Sequence, residues 1–387
     1  MAQGRERGIA EEGELFRTHI GGSALTEGIM MRGRLNWAVA VRTPDGGIYT
    51  EEHDLPNPET RAAWKRWPLV RGCVSFVESM VLSAKAMGIA AEHAYDAGGE
   101  SYATRKASVE VAGAECVQSD ATGAPANAAV DAESHDGTQG SSGKPLEDVP
   151  EDSSEGLPPA LMAGSMAIGF LLGVALFVAI PVAVANLVVG DYSVDNAVVW
   201  NLVEAALRIL IFVAYIWGVG RMPEMARVFG YHGAEHQTIH CFEHGLPLTP
   251  ANAASFSRLH VRCGTAFLIM TVIVAILVNT LVPVAVAADS LGLSGWGRML
   301  FVFASRLVML PLVAGVSYEV TVKWAGSHPE NPVVRVVLWP GLQMQRLTTN
   351  VPDEGMLECA IAATELVRNR ELAAGLEEGL GTDACCG

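Results

Sequence analysis

The chain has 387 residues, of which 50% are hydrophobic and 18% are charged. Soluble domains usually carry about a quarter charged residues, so the composition argues against a wholly soluble protein. The net charge of −16 argues against a nucleic-acid-binding protein, which needs a basic surface. The seven cysteines are odd in number and show no C-x-x-C spacing, which indicates free thiols in a reducing compartment.

Residues 1–112 predict a small α+β domain. Residues 36–53 alternate in polarity around a Pro-Asp-Gly-Gly turn, which is typical of a β-hairpin. Residues 70–94 carry apolar side chains at helical spacing and predict an amphipathic helix. We expect this helix to pack on the hairpin, and the alternative is that it lies on a membrane surface. The N-terminus has no apolar core of signal-peptide type, so the domain is expected to stay in the cytosol.

Residues 113–156 form an acidic segment that is poor in large apolar side chains. The segment holds ten acidic residues against one basic residue, Lys144. Such a segment buries too little apolar surface to offset the entropy cost of ordering it. We therefore predict a disordered acidic linker between the N-terminal domain and the rest of the chain.

Four apolar stretches are each long enough to cross a bilayer, which takes about 20 helical residues. They are Leu161–Val189, Val198–Gly220, Gly264–Ala288 and Met299–Tyr318. They form two predicted hairpins, residues 157–220 and residues 264–318, joined by the loop 221–263. The predicted fold is a polytopic α-helical membrane protein with four transmembrane helices, a small α+β cytosolic N-terminal part and a helical C-terminal tail.

Lysine and arginine residues indicate the orientation of these segments. Residues 190–197 hold none and residues 289–298 hold only Arg298, whereas the loop 221–263 holds four. By the positive-inside rule, this distribution puts the loop 221–263 and both termini in the cytosol. The lipid bilayer is then the first partner of the chain.

Three charged residues fall inside the predicted membrane helices. Glu204 and Arg208 are one helical turn apart, so we expect them to form an ion pair. If instead Arg208 and Arg306 were unpaired, two guanidinium groups at similar depth would favour an anionic headgroup or a phosphate. This alternative predicts an anion or lipid transporter, and four helices are so few that it would have to be a homo-oligomer.

Half of the ten histidines fall within residues 232–260. On a helix, four of them lie along one side because they recur every four residues, and these are His232, His236, His240 and His244. His232, Glu235 and His236 also match the H-x-x-E-H pattern of inverzincin peptidases. In that pattern two imidazoles hold Zn²⁺ and the glutamate acts as general base on a water molecule.

A catalytic zinc site needs a third protein ligand and an open position. The candidate third ligands are Glu243, His240, His260 and Cys263. We expect a divalent metal ion, with zinc as the first choice. The alternatives are a hydrogen-bonded structural cluster and a proton relay or pH sensor. Arg262, next to Cys263, belongs either to a ligand site or to a positive-inside anchor.

Residues 319–387 predict a cytosolic C-terminal tail. Val333–Leu338 is a short strand-like run that ends at Trp339-Pro340-Gly341. Pro352-Asp353-Glu354 then opens a helix of about 15 residues, with acids in its first turn and arginines near its end, as the helix dipole favours.

Five blocks of this sequence together resemble the bacterial YqhQ-like family of membrane proteins. They are GGSALTEGIMMRGRLNWAVAVRTPDGGI (21–48), FGYHGAEHQTIHCFEHG (229–245), LHVRCGTAF (259–267), LPLVAGVSYE (310–319) and PGLQMQRLTTNVPDEGMLECAIAA (340–363). The family is described as predicted metal-dependent enzymes, so the resemblance implies a protein of the cytoplasmic (inner) membrane with a cytosolic metal site. It carries over His232, Glu235 and His236 as site residues. It also implies motif residues of unassigned role, namely Glu27, Arg32, His260, Arg262 and Cys263.

Three functions remain open at this point. The first is a membrane-bound metal-dependent hydrolase that acts on a membrane peptide or on an anionic lipid-linked compound. The second is the anion or lipid transporter based on Arg208 and Arg306. The third is a non-enzymatic membrane scaffold or assembly factor, since a large share of the chain is predicted to be cytosolic.

Overall fold

The computed structural model describes residues 18–56, 63–96, 98–108, 159–260, 263–325 and 331–375. The predicted linker 113–156 and Arg262 lie outside the described residues. The chain divides into a large unit, Met1–Arg105 with Ala175–Gly387, and a small unit, Lys106–Val174. The described part is mainly helical and contains one small sheet.

The sheet is an antiparallel meander of four strands, β1 to β4 in that order. The strands are β1 (Gly21–Leu25), β2 (Gly28–Arg32), β3 (Asn36–Arg42) and β4 (Ile48–Asp54). The β3–β4 pair confirms the predicted hairpin. Every residue of β3 is buried, because helices cover both faces of the sheet.

The helices follow in chain order. They are α1 (Val70–His93), α2 (Pro159–Val174), α3 (Ile180–Val189), α4 (Ala197–Val219), α5 (Pro223–Glu243), α6 (Pro250–Ala253), α7 (Gly264–Leu281), α8 (Val284–Ser290), α9 (Gly295–Tyr318), α10 (Pro332–Thr348) and α11 (Glu354–Ala373). Two π-helical segments occur as well, Ala175–Ala179 between α2 and α3 and Glu319–Ala325 after α9. Helix α11 confirms the helix predicted to open at Pro352-Asp353-Glu354. The Asp353 side chain caps it by accepting a hydrogen bond from the Met356 amide.

Helix α1 packs on one face of the sheet, as predicted. Its small residues Ala86 and Ala90 lie against Val39 and Val41 of β3. Helix α11 and the histidine-bearing helix α5 cover the opposite face, where β3 presents alanines. The large side chains of β3 therefore meet the small residues of α1, and the small side chains of β3 meet the layer formed by α5 and α11.

The N-terminal half of α1 has different surroundings. Arg71 pairs with Glu319 just after α9 (Nε–Oε1 2.8 Å), and the Cys73 thiol lies 3.2 Å from the Pro311 carbonyl oxygen. The outer side of this half exposes large apolar side chains, which are Phe76, Val77, Met80 and Val81. Helix α1 therefore connects the sheet to the end of α9 and presents an apolar surface between them.

Four described helices are long and apolar enough to cross a membrane. They are Val70–His93, Ala167–Val189, Ala197–Val219 and Gly295–Thr321. The last three correspond to the first, second and fourth predicted membrane segments. The third predicted segment, Gly264–Ala288, is not one straight helix, since α7 and α8 are bent by 41° at a short break. Pro283 lies in that break, and proline ends a helix because it lacks an N–H donor and its ring clashes with the preceding turn.

The strand-like reading of Val333–Leu338 is wrong, because these residues begin α10. The Asn331 side chain accepts a hydrogen bond from the Val333 amide, and Pro332 occupies the first helical turn. Both features favour a helix start. Val334 and Leu338 are buried one turn apart, so tertiary packing overrides the strand preference of the valine run.

Candidate metal centre

Helix α5 carries the histidine row and is buried along its C-terminal two-thirds. It packs on the sheet beside α11. Gly233 allows the connection between α10 and α11 to lie directly on the helix, since a Cβ there would be 2.2 Å from the Asn350 carbonyl oxygen. The imidazoles of α5 therefore lie in a protein interior, where buried polar groups need defined partners.

Three predicted ligands form a first group, His232, His236 and Cys263. One ligand atom from each lies within 4.8 Å of the others. His232 Nε2 is 3.1 Å from Cys263 Sγ. His236 is fully buried, whereas His232 and Cys263 are half-buried. The first group therefore combines one buried ligand with two partly exposed ones.

Backbone carbonyls fix the tautomers of both imidazoles in the first group. His232 Nδ1 lies 2.8 Å from the Thr348 carbonyl oxygen, and His236 Nδ1 contacts the Arg258 carbonyl oxygen. A carbonyl oxygen only accepts, so each Nδ1 donates its proton and each Nε2 keeps a lone pair. Metal-binding histidines are usually oriented in this way. Burial also lowers the pKa of His236, which keeps the imidazole neutral.

Glu235 lies beside the first group and interacts electrostatically with His232 and Cys263. Its carboxylate accepts a hydrogen bond from the Gly22 amide of β1 (Oε1–N 3.0 Å). Burial raises the pKa of Glu235 to about 7. A carboxyl group with this pKa can both take up and release a proton near neutral pH.

The other predicted ligands form a second group, His240, Glu243 and His260. Their ligand atoms also lie within 4.8 Å of one another, and all three residues are buried. His260 Nε2 is 3.5 Å from Glu243 Oε2. The Thr18 amide donates to the other oxygen of Glu243 (2.9 Å), and His240 Nε2 donates to the Leu259 carbonyl oxygen (3.0 Å). The second group is therefore closed.

The two groups are neighbours. The ring centroids of His236 and His260 are 5.7 Å apart, compared with 4.5 Å between His232 and His236. The structure thus separates the candidate third ligands, with Cys263 in the first group and the others in the second. His244 belongs to neither group, and its Nδ1 bonds the His240 carbonyl oxygen.

Two motif residues of the sheet lie outside both groups. Glu27 is buried and forms a two-pronged ion pair with Arg227 of α5, and the Tyr231 hydroxyl is 3.4 Å from its Oε2. Arg32 ends β2 opposite Trp37. Glu27 therefore attaches the sheet to α5.

Sequence reasoning missed the residues that hold the site from outside. Gly22 and Thr18 act through backbone amides, and Thr348, Arg258 and Leu259 act through backbone carbonyls. Backbone groups leave no residue-type signal. The only hint in the sequence is the Gly-Gly pair that begins β1.

The three charged residues of the apolar helices form a network with the neutral side chain of Asn201. We call this set, Asn201, Glu204, Arg208 and Arg306, the arginine network. The predicted Glu204–Arg208 ion pair is confirmed. Arg306 also approaches Glu204, with Nη2 3.5 Å from Oε2, and donates to Asn201 Oδ1 at 2.8 Å. The two arginines are therefore both paired to Glu204, and Asn201 is a member that the sequence did not suggest.

The fold and the site define a protein of apolar helices with a buried histidine helix beneath a small sheet, and the family follows from comparison. Residues 67–370 match the family described as "Protein of unknown function (DUF1385)", so the chain belongs to this family. It is also 29% identical over 358 residues to "Uncharacterized protein YqhQ" of Bacillus subtilis (strain 168), covering 91% of this chain and 93% of that protein. The resemblance to YqhQ-like proteins is thereby confirmed. No solved structure matches the chain.

Proposed function

We propose that this protein is an integral membrane hydrolase whose catalytic divalent ion is held by His232, His236 and Cys263. One observation carries the proposal. Two imidazoles with fixed tautomers and a thiol converge within 4.8 Å, beside the buried Glu235 carboxylate, which the Gly22 amide holds in place.

The donor set of the first group fits zinc. Nitrogen and sulfur ligands suit Zn²⁺, and three protein ligands leave one position open, as a catalytic site requires. In a purely structural cluster each buried nitrogen would have a conventional hydrogen bond. His236 Nε2 is buried and makes none to a nitrogen or oxygen of the described residues. The side chain interacts with the Cys263 thiol instead, and a thiol is a weak donor, which supports a ligand role for both residues.

The residues around the first group then have distinct roles. A bound divalent ion supplies Lewis acidity and makes a nearby water molecule more acidic. Glu235 accepts the proton of that water and passes it to the leaving group. The Gly22 amide holds Oε1 of Glu235, which leaves Oε2 to move the proton.

The position of the site suggests a substrate held at the membrane. Cys263 immediately precedes the apolar helix α7, so the first group lies at the end of a helix proposed to enter the bilayer. The two candidate classes are a peptide of a membrane protein and an anionic lipid-linked compound. Both present the scissile bond close to the lipid headgroups.

The proposed topology has four membrane passes, namely α2–α3, α4, the bent pair α7–α8 and α9, with the sheet and both groups in the cytosol. Helix α1 meets the length and composition criteria of a span, but its second half is packed on the sheet. We assign its apolar first half to the inner-leaflet surface, because that half adjoins the end of α9.

Glu235→Gln is expected to keep the metal ion and to lose hydrolysis. Glutamine preserves the shape of the side chain but cannot take up a proton, and removing a general base costs about 10²- to 10⁴-fold in rate. The measurement pairs metal content by mass spectrometry with turnover of membrane peptides and lipid-linked phosphates in proteoliposomes. Glu365→Gln, at an exposed position of α11, is the matched control. Unchanged turnover in Glu235→Gln would contradict Glu235 as the general base, and no turnover by the wild type would contradict the hydrolase and favour the scaffold.

Cysteine labelling is expected to report the topology. Asp195 lies in the exposed turn before α4, and Ala251 is exposed in α6. A membrane-impermeant maleimide should label Asp195→Cys in spheroplasts of expressing cells, but should label Ala251→Cys only after lysis. The unsubstituted protein measures the background from its own cysteines. Labelling of Ala251→Cys in intact spheroplasts would refute the proposed orientation.

A further inference from the structure

The arginine network is a second, independent concentration of buried charge. Its charged members lie near the midpoints of α4 and α9, and their exposed fractions are 2% for Glu204, 8% for Arg208 and 4% for Arg306. Charged side chains at such positions are costly and are usually functional.

The charge of the network is not balanced by the described residues. Two guanidinium groups share the single carboxylate of Glu204, which leaves one positive charge. The aromatic rings near Arg306 belong to Tyr192 and Trp200, at 6.0 Å and 5.7 Å from its Cζ, and neither carries a formal charge. An unbalanced buried charge is unfavourable unless a counter-ion accompanies it.

Fewer guanidinium nitrogens are hydrogen-bonded in Arg306 than in Arg208. A guanidinium has five N–H donors. Arg208 donates from Nε to the Phe177 carbonyl oxygen at 3.0 Å and from Nη2 to Glu204. Arg306 uses Nη2 for Asn201, and its guanidinium also interacts with the Tyr192 side chain. Its Nε and Nη1 are buried and meet no acceptor at normal hydrogen-bond geometry among the described residues, so they remain open to a further acceptor.

We infer that Arg306 forms the centre of an anion-binding site inside the bundle of apolar helices. One surplus positive charge and several open N–H donors suit a monoanion with exposed lone pairs, such as chloride, dihydrogen phosphate or a phosphodiester. The depth of the site favours a free inorganic anion over a lipid headgroup as the source. The site uses none of the residues of either histidine group.

Binding of inorganic anions to the full-length protein tests the site. Purified protein in neutral detergent is titrated with ³⁶Cl⁻ and with ³²P-labelled phosphate in a scintillation proximity assay. We expect saturable binding of one anion per chain. Arg306→Gln should weaken it about 10- to 100-fold, because hydrogen bonds to a charged group are lost. Glu204→Gln should tighten it, because the competing carboxylate is removed.

Matched variants keep the test decisive. Arg221→Gln removes an arginine stacked on Trp217 outside the network and should bind like the wild type. Where gel filtration shows that Arg306→Gln does not fold, Arg306→Lys keeps the charge with fewer donors and should bind with intermediate affinity.

Native mass spectrometry of protein from phosphatidylglycerol nanodiscs identifies a bound lipid phosphodiester. Loss of this lipid in the Arg306 variant would support the site with a lipid source.

Two results would overturn the inference. One is equal anion affinity in wild type and in a folded Arg306 variant. The other is no binding of chloride, phosphate or lipid phosphodiester by the wild type. His236→Ala separates this site from the proposed metal centre, because it should lose metal and keep anion binding.

Discussion

His236→Ala is expected to release the divalent ion. The imidazole of His236 is the most buried member of the first group, and its Nδ1 is held by the Arg258 carbonyl oxygen, so no other side chain can take its place without rearrangement. Altering only the outer partners of a metal ligand costs about 10- to 100-fold in affinity. Removal of the ligand itself should therefore weaken binding at least about 100-fold, measured as metal per chain after dialysis against a competing chelator.

Cobalt substitution makes this experiment specific to the first group. Co²⁺ bound through Cys263 should give a sulfur-to-metal charge-transfer band in the near ultraviolet, and Cys263→Ser should abolish that band. His244→Ala is the matched control, because this histidine follows α5 but belongs to neither group. Equal metal content in wild type and His236→Ala would remove the proposed centre.

Gly233→Ala should cause the largest loss of stability among single-methyl additions on α5. The new Cβ would lie 2.2 Å from the Asn350 carbonyl oxygen. That segment cannot easily retreat, because the Asn350 amide donates to the Phe229 carbonyl oxygen at 2.8 Å and its side chain donates to the Ala226 carbonyl oxygen at 2.9 Å. Overpacking of this kind costs about 3 kcal/mol, which corresponds to a fall in Tm of about 4 °C for a chain of this length.

The matched control for Gly233→Ala is Gly88→Ala in α1, where an added Cβ would meet no atom within 4 Å. Alanine there should leave Tm unchanged or raise it slightly, because alanine has the higher helix propensity. Thermal unfolding of the detergent-solubilised protein, followed by circular dichroism, compares the two variants. An equal Tm for both would show that Asn350 does not press on α5 as described.

Local patterns allowed the histidine helix to be predicted, but the grouping of its ligands depended on tertiary structure. The four-residue period of the histidines indicated one helix face. Cys263 contacts His232 across 31 residues of sequence, and the Thr348 carbonyl contacts His232 across 116. Contacts of that separation depend on how the chain returns to α5, and neither periodicity nor composition encodes this path.

The apolar helices show the same limit. Length and hydrophobicity located them, and the four-residue spacing of Glu204 and Arg208 indicated their ion pair. The approach of Arg306 to Asn201 depends on the packing of α9 against its neighbours, so it could not be predicted from the sequence. At Val333–Leu338 the local preference was misleading, because side-chain capping by Asn331 and the burial of one helix face outweigh it.

The long-range hydrogen bonds of the histidine helix also bear on the order of events during synthesis. The Gly22 amide reaches Glu235 across 213 residues, and His232 reaches Thr348 across 116. Thr348 emerges from the ribosome long after the first apolar helices have been synthesised. A nascent or prematurely terminated polypeptide therefore lacks the carbonyl that orients His232, so the first group takes its final geometry only when translation is almost complete.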